Sequence, residues 1–385
     1  MTHTRLLLFF FLLTACSRIK EETNALKINY NHGLIDTGKR LVIPIDEETL
    51  NQTNCLSLTQ RNASILAYLN SKKNTIQFYN LETKTLEGKI KLAIEGPNGI
   101  GNIQGFNAIS LDSVFVISTQ YSKIFLLNKE GEVQQTINYL TSISGNDIMP
   151  AKIQSEPLQR IEFTNNKIYL TDLAGGNWQT MSQKELLKTS LCVEIDSLNK
   201  TVTQLPFSYP ADYWADGNKE PIFSRIYENE TFIYSFSGDN NIYVTQDHAT
   251  SKKYFAGSKY IKTVNPYPKN MDMDDLLRYY CETSTYSTIV FDPFRNVYYR
   301  FAFLGKKPEK GENLMKKVMN PSSPTIVILD ETFNIIGETK LDENKYIVKN
   351  MFINEKGLYL SLNHIANPSM KDDELSFALL ELKKL

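Results

Sequence analysis

The sequence predicts an all-β fold: a six-bladed β-propeller of four-stranded blades, closed by an N-terminal strand that completes the last blade. Three observations lead to this prediction. Short apolar runs alternate with turn residues from about residue 38 to the C-terminus, and most of the 21 Tyr and 20 Phe lie within these runs. Aromatic residues in short runs favour strands over helices. Similar strand–turn–strand units also recur along the chain, as radial blades do.

The repeated unit is a β-rich run, a turn and a second run. Ser64 to Leu69, for example, is followed across Lys72, Lys73 and Asn74 by Thr75 to Tyr79, which is the pattern of a hairpin. Corresponding runs begin at residues 64, 113, 167, 231, 296 and 357. A propeller blade takes about 40–50 residues, so the wider intervals indicate insertions in loops.

The last unit provides the signal for closure. Its strands near 347–353, 357–363 and 376–383 are one short of a blade, and Lys39 to Ile45 can supply the outer strand. Pro44 suits an edge position, where no backbone donor is needed. A seven-bladed propeller and a pair of β-sandwich sheets remain alternatives.

Two short helices are predicted inside the longer units. Ser182 to Glu185 matches a capping box that opens a helix through Lys188. A second helix is expected from the cap Asp272 to Glu282. Both are interpreted as insertions on one propeller face, with Leu276, Leu277 and Tyr280 on the apolar side of the second helix. The basic, turn-rich stretch from 305 to 317 is expected to be a solvated loop.

The N-terminus has the pattern of a bacterial lipoprotein precursor. A positive start is followed by the apolar run Leu6 to Leu13 and by Thr14, Ala15 and Cys16. This run is shorter than the roughly 20 residues that span a bilayer. Leu13-Thr14-Ala15-Cys16 resembles the lipobox, which implies cleavage before Cys16 and acyl chains such as palmitate on that cysteine. An ordinary signal peptide with a cysteine nearby by chance is the alternative.

The predicted organisation is a lipoprotein signal peptide (1–15), a lipidated tether (16–37) and a single β-propeller domain (38–385). Ser17 is not the aspartate that commonly retains lipoproteins at an inner membrane. Lys20-Glu21-Glu22 resembles the export signal of Bacteroidetes surface lipoproteins, although it is equally consistent with a solvated tether. We therefore expect an extracytoplasmic protein, anchored by lipid to the outer membrane on its periplasmic or surface-exposed side.

Composition excludes several function classes. A formal net charge of −1 argues against a nucleic-acid partner. Cys55, Cys192 and Cys281 form no CxxC pattern, and they are interpreted as buried thiols, of which one pair could form a disulfide. The remaining histidines are too scattered for a zinc site, so neither a metal nor a cofactor is predicted.

The lipobox, the six irregular Tyr- and Phe-rich units and the loop from Gly96 to Gly101 together resemble the uncharacterised six-bladed, TolB-like propeller lipoproteins of Bacteroidetes. The resemblance covers nearly the whole mature chain and implies the fold and the anchor, but no activity. The glycine loop lacks the spacing of a phosphate-binding loop. It is interpreted as a turn that needs positive φ at glycine.

Two groups of residues are candidates for ligand binding. Arg160, Glu162 and Arg225 are placed at the starts of inner strands, where the arginines could bind an anionic ligand or pair with Glu162 and Glu228. Tyr209, Tyr213 and Trp214 form an aromatic stretch between two units, and Trp178 could join them. Such rings suit sugars or protein contacts, or they form a local core under a folded loop.

The leading hypothesis for function is a membrane-tethered binding or scaffold module of the cell envelope. One propeller face would engage a protein, a peptide or a glycan. The alternative is an extracytoplasmic hydrolase of the lactonase-like class, with its site in the central channel. No catalytic residue can be assigned from the sequence, and whether the protein is an enzyme stays open because propellers support many functions.

Overall fold

The structure, a computed structural model, describes residues 28–62, 64–103, 105–118, 120–145, 147–148, 159–164, 166–172, 181–268, 271–321 and 323–385. Within these ranges the first strands are β1 (Ile28–Pro44), β2 (Leu56–Leu58), β3 (Ile65–Asn70), β4 (Thr75–Asn80), β5 (Thr85–Lys91), β6 (Phe106–Ser110), β7 (Ser113–Ser118), β8 (Lys123–Leu127), β9 (Val133–Asn138), β10 (Glu162–Thr164), β11 (Lys167–Thr171), β12 (Cys192–Asp196) and β13 (Thr201–Gln204). The later strands are β14 (Phe223–Glu228), β15 (Thr231–Phe236), β16 (Asn241–Thr245), β17 (Lys252–Phe255), β18 (Thr285–Asp292), β19 (Val297–Phe303), β20 (Pro324–Leu329), β21 (Ile335–Lys340), β22 (Ile347–Asn354), β23 (Gly357–Ser361) and β24 (Glu374–Lys384). The helices are α1 (Gln183–Leu186), α2 (Met273–Glu282) and α3 (Leu314–Met319).

The strands form four separate four-stranded sheets and one eight-stranded sheet. The four sheets are β2–β5, β6–β9, β10–β13 and β14–β17, each with neighbouring strands in chain order. The eight-stranded sheet has the order β18-β19-β20-β21-β1-β24-β23-β22. The prediction of six separate four-stranded blades, closed by an N-terminal strand, is therefore wrong, although the fold is all-β and propeller-like.

The length of β1 explains the difference. We expected a strand of seven residues from Lys39, but β1 has 17 residues. It pairs antiparallel with β24 from His32 to Pro44, and its beginning pairs parallel with β21, with Ile28 opposite Ile335 and His32 opposite Gly337. The turn-like residues before Lys39 form a bulge, with φ +77° at Gly38, and the strand continues through it. One strand thus joins two units into one sheet.

Hydrophobic side chains join neighbouring sheets into a ring. Phe78 of β4 packs in one cluster with Phe106 of β6, and further clusters fill the other junctions. The two halves of the eight-stranded sheet pack on each other around Tyr299 and Leu360, and its end strands, β18 and β22, lie side by side. Burial of each such side chain stabilises the fold by about 2 kcal/mol.

Polar side chains bridge the inner strands around the axis of the ring. Each bridge is a hydrogen bond between two neighbouring sheets. It involves a side chain that belongs to an inner strand or to the residues just before that strand. The bridges are Asn107 Nδ2 to the carbonyl of Ile161 (3.0 Å), Gln159 Nε2 to that of Phe223 (2.8 Å), the Ile289 amide to Ser224 Oγ (3.1 Å) and Asn350 Nδ2 to the carbonyl of Thr53 (2.8 Å). Gln159 and Arg225 also form a parallel bridge between two inner strands. Each separate sheet has four antiparallel strands in chain order, so its last strand ends at the end of the ring where its inner strand began, and the next inner strand starts there.

This arrangement separates long from short connections. We call the end where the inner strands begin the long-loop face; its main connections are 45–55, 92–105, 139–161, 172–191, 205–222, 256–284, 304–323 and 362–373. At the opposite end, connections between the described strands have only two to six residues. All three described helices therefore lie on the long-loop face.

Many local predictions are confirmed. The hairpin strands β3 and β4 lie where the sequence placed them, and the capping box of α1 has both its bonds, between Ser182 and Glu185. Asp272 caps α2 by accepting from the Asp275 amide. Helix α3 was missed because its cap, Asn313, stands in a stretch interpreted as a loop. Within the described ranges, no helix has the length and apolar character of a membrane span.

Candidate functional site

The predicted inner-strand residues form a salt bridge and a buried anchor. Arg160 Nη2 lies 3.2 Å from Glu162 Oε2, and their two-residue separation at β10 puts both side chains on one side. Arg225 on β14 is fully buried. It donates to the carbonyl oxygens of Arg160 (3.0 Å) and Tyr169 (3.1 Å). Arg225 thus joins two neighbouring sheets within the core.

A buried thiol also contacts this arginine. Arg225 Nη1 lies 3.3 Å from Cys192 Sγ. Burial raises the pKa of the Cys192 thiol, and the guanidinium of Arg225 opposes that effect. Cys55, Cys192 and Cys281 are all buried, and no disulfide bond joins them. Among the described residues, no three His, Cys, Asp or Glu side chains are grouped so that they could hold a metal ion.

The predicted aromatic residues form a local core beneath the connection 205–222. Tyr209, Tyr213 and Trp214 are only 3%, 2% and 5% exposed. Their rings contact one another and Phe236, with centroids 4.7 to 5.7 Å apart. They therefore offer no open ring face to a sugar. Two other candidates, Trp178 and Cys16, lie outside the described residues.

The polar ends of these rings hold the following backbone in place. Tyr213 donates its hydroxyl to the Glu220 carbonyl (2.7 Å) and accepts from the Gly238 amide (3.0 Å). Trp214 Nε1 donates to the Lys219 carbonyl (3.0 Å), and the Tyr209 hydroxyl donates to the Pro221 carbonyl (2.7 Å). The aromatic stretch thus fixes the positions of Lys219 and Glu220.

Lys219 and Glu220 line a cavity of about 60 Å³ on the long-loop face. It lies between the connections 205–222, 237–240 and 256–284, which adjoin the sheet β14–β17; the first and the last of them join it to its two neighbouring sheets. We call it the Glu220 pocket; its lining residues are Lys219, Glu220, Ser237, Gly238, Val264, Tyr279, Tyr280, Thr283 and Thr285.

Helix α2 and the preceding loop supply the aromatic wall of the Glu220 pocket. The Tyr267 hydroxyl donates to Glu220 Oε1 (2.9 Å) and contacts the hydroxyl of Tyr280. The Tyr267 amide donates to the Asn218 carbonyl (2.6 Å), which joins the two connections. The Tyr279 hydroxyl donates to the Asn265 carbonyl (2.6 Å), so this wall is held at several points.

The electrostatics of the pocket are balanced. Glu220 contributes a carboxylate and Lys219 an ammonium group, whose Nζ lies 2.8 Å from Asp216 Oδ1. Burial raises the pKa of Tyr267 and of Tyr280, and raises that of Tyr279 to about 12. At neutral pH the phenols therefore remain protonated. The pocket offers both donors and acceptors, with the two charges of its lining residues in balance.

Gly238 is required by the close approach of its neighbours. A Cβ atom at this position would lie 2.8 Å from the Tyr213 hydroxyl oxygen and 2.9 Å from Lys219 Cδ. Any side chain here would displace the residues that shape the pocket.

Sequence reasoning missed the lining residues of this pocket. Tyr280 was assigned to the apolar face of α2, and Lys219 and Glu220 were passed over beside the more prominent aromatic stretch. A usable signal was the position of Lys219 and Glu220 directly after that stretch, at the end of a long insertion. The partners Tyr267 and Tyr280 come from another connection, which no local pattern reveals.

Comparison with solved structures shows which known proteins share this fold. A DUF4221 family member from Bacteroides vulgatus superposes with a TM-score of 0.81 at 23% identity, covering 93% of this chain and 100% of that one. A candidate exported protein from Bacteroides fragilis has a TM-score of 0.52 at 10% identity, covering 93% and 97%. At these identities the likeness shows the fold alone.

The sequence itself identifies the family. No curated protein matches this chain. The model of DUF4221, a domain of unknown function, matches residues 34–340, which is most of the described chain. The chain therefore belongs to the DUF4221 family.

Proposed function

We propose that this protein is a lipid-anchored, extracytoplasmic binding module that takes its ligand on the long-loop face. The observation that carries the proposal is the Glu220 pocket, built where the connections that join the sheet β14–β17 to its two neighbours meet. Loops that are positioned by a rigid scaffold commonly carry binding sites. The opposite end has only short turns between the described strands; a wider and more open cavity of about 700 Å³ lies there, lined among others by Lys84, Asn354 and Lys356, and it is the competing site that the experiment must separate from the Glu220 pocket.

The proposed anchor leaves this face accessible. Acyl chains on Cys16 would hold the protein at the outer membrane. Ile28, the first residue of β1, pairs with Ile335 at the start of β21, directly after the short connection 330–334 of the opposite end. The name of the Bacteroides fragilis protein, a candidate exported protein, is in keeping with this location.

The ligand would be a glycan, a peptide or a protein of the cell envelope. The formal net charge of −1 gives no field for nucleic acid. No observation among the described residues favours the hydrolase, so we propose binding alone.

The test is binding of the mature chain, carrying Cys16→Ser, to arrays of envelope glycans and peptides. Lys219→Met alters the pocket while keeping the aliphatic stem, and Lys356→Met is the matched change at the opposite end. We expect a ligand whose affinity falls about ten-fold or more with Lys219→Met. The affinity for this ligand should be unchanged with Lys356→Met. A ligand that responds only to Lys356→Met, or the absence of any ligand, contradicts the proposal.

A further inference from the structure

We infer that the Glu220 pocket binds the hydroxyl edge of one neutral sugar ring or of a similar polyol. This inference rests on the proposed function, because it names the ligand class of the same site.

Charge balance selects a neutral ligand. The lining carries one carboxylate, on Glu220, which accepts from Tyr267, and one ammonium, on Lys219, which is already paired with Asp216. An anionic ligand would meet the carboxylate of Glu220, and a cation would be buried beside the ammonium of Lys219, so each would lie next to a like charge. Burying such an unpaired charge costs more than a neutral hydrogen bond returns. A neutral molecule avoids this cost.

The hydrogen-bonding groups match hydroxyls in particular. Glu220 accepts, Lys219 donates, and the hydroxyls of Thr283 and Thr285 can do both. A sugar hydroxyl is likewise both donor and acceptor. Adjacent hydroxyls on one ring edge could therefore bond to Glu220 and to a threonine at once. An apolar ligand would leave these polar groups unsatisfied.

The size and walls of the pocket suit one ring edge rather than a whole oligosaccharide. The cavity of about 60 Å³ holds about four to six water molecules, at 10–15 Å³ each. That space suits a few adjacent hydroxyls of one ring edge. The rings of Tyr279 and Tyr280 border it and offer apolar surface to the C–H groups of a sugar.

The pocket is also rigid before a ligand arrives. Tyr213 and Trp214 fix the backbone of Lys219 and Glu220 through hydrogen bonds of 2.7 and 3.0 Å. Tyr267 holds the Glu220 carboxylate from the other side at 2.9 Å. Little conformational freedom remains to be lost on binding, which favours even a small ligand.

The experiment is saturation-transfer NMR of the mature chain, carrying Cys16→Ser, with a panel of probes. The neutral probes are glucose, galactose, mannose, fucose, N-acetylglucosamine and glycerol. Tetramethylammonium is the cation probe and inorganic phosphate the anion probe. The variants are Thr285→Val, which removes one hydroxyl at constant shape, and Thr203→Val on the outer strand β13 as matched control. Circular dichroism confirms that each variant is folded.

We expect transfer to at least one neutral probe, with an affinity about ten-fold weaker in Thr285→Val and unchanged in Thr203→Val. Transfer to phosphate or tetramethylammonium that responds to Thr285→Val overturns the ligand class. Equal binding in both variants overturns the site. The absence of binding by every neutral probe overturns the inference, while a Lys219-dependent array ligand would leave the proposed function standing.

Discussion

The guanidinium of Arg300 lies 3.7 Å from the ring centroid of Tyr286, and both side chains are buried. Arg300 belongs to the eight-stranded sheet, yet its donors reach the neighbouring sheet and its loops. The acceptors are Ser235 Oγ (2.9 Å) and the carbonyl oxygens of Phe236 (3.3 Å), Asp239 (2.6 Å), Asn240 (2.9 Å) and Ala256 (3.0 Å). One side chain thus holds the connection 237–240, which lines the Glu220 pocket.

Arg300→Lys is expected to lower the free energy of unfolding by about 3 kcal/mol or more. A lysine ammonium has three donors on one atom, so it cannot serve five acceptors that surround a planar guanidinium. Urea denaturation measures the change. Tyr286→Phe keeps the ring and is expected to cost about 1 kcal/mol. A loss below 1 kcal/mol for Arg300→Lys would show that this connection is held by other contacts.

Tyr213→Phe tests whether the aromatic stretch positions the residues that line the Glu220 pocket, in addition to stabilising the fold. The substitution leaves the Gly238 amide and the Glu220 carbonyl without their buried partner, which costs about 1–3 kcal/mol. We expect weaker ligand binding at the pocket as well, because the displaced residues line it. Ser208→Ala, in the same connection, is the control. Unchanged binding in a destabilised Tyr213→Phe protein would mean that the aromatic stretch supports the fold without shaping the site.

Acid is expected to destabilise the protein through His248. Its Nε2 lies 2.9 Å from the Tyr234 hydroxyl, in a buried aromatic cluster. Burial, followed by the charge of Arg225, lowers the pKa of His248 from 6.5 to about 3. Between these values the unfolded chain binds a proton that the folded protein excludes. The free energy of unfolding therefore falls as the pH falls through this window.

The free energy of unfolding falls by about 1.4 kcal/mol per pH unit once the histidine of the unfolded chain is charged. Urea denaturation at pH 7 and at pH 5 measures how much the free energy of unfolding falls between these two values. This fall should be about 1–2 kcal/mol smaller in His248→Gln than in the wild type. Equal losses in both proteins would assign the acid sensitivity to other groups.

Local features of this chain could be predicted from the sequence, whereas long-range ones could not. The caps Ser182 and Asp272 and the hairpin strands depend on residues a few positions apart, and their patterns were decisive. Arg225 was interpreted as a ligand-binding or ion-paired residue, and Arg300 was given no role, because their carbonyl partners carry no sequence signal. The pocket likewise joins residues from three connections. For β1, a bulge around Gly38 resembled a strand end, which produced the wrong blade count.

Lipid attachment at Cys16 remains a prediction. Expressed in a bacterium with lipoprotein processing, the full chain should incorporate an alkyne analogue of palmitate. Cys16→Ser should abolish labelling and release the protein from membranes, because single-site acylation is its anchor. Cys55→Ser is the control, since Cys55 is buried in the fold. Labelling that persists in Cys16→Ser would exclude this anchor.

The joining of β1 to β21 depends on a contact that only glycine permits. Gly337 pairs with His32, and a Cβ atom at position 337 would overlap the His32 carbonyl oxygen. Gly337→Ala must therefore push the first half of β1 away from β21. The pairing with β24 runs from His32 to Asp36 and from Arg40 to Pro44, and its second part, which is farthest from Gly337, should stay in place. Gly33→Ala is the control, because its Cβ would meet only the flexible end of Leu385, 3.2 Å away.

Hydrogen exchange resolves the two halves of β1. In Gly337→Ala, amides from 28 to 31, which precede the pairing with β24, should lose protection, and those from 40 to 44 should keep it, since local opening follows the pairing of each segment. If protection from 28 to 31 is unchanged, the parallel pairing does not hold this segment, and the two halves of the eight-stranded sheet are independent. If protection is lost throughout β1, the strand opens as one unit, and its contact with β21 supports the closure of the whole ring.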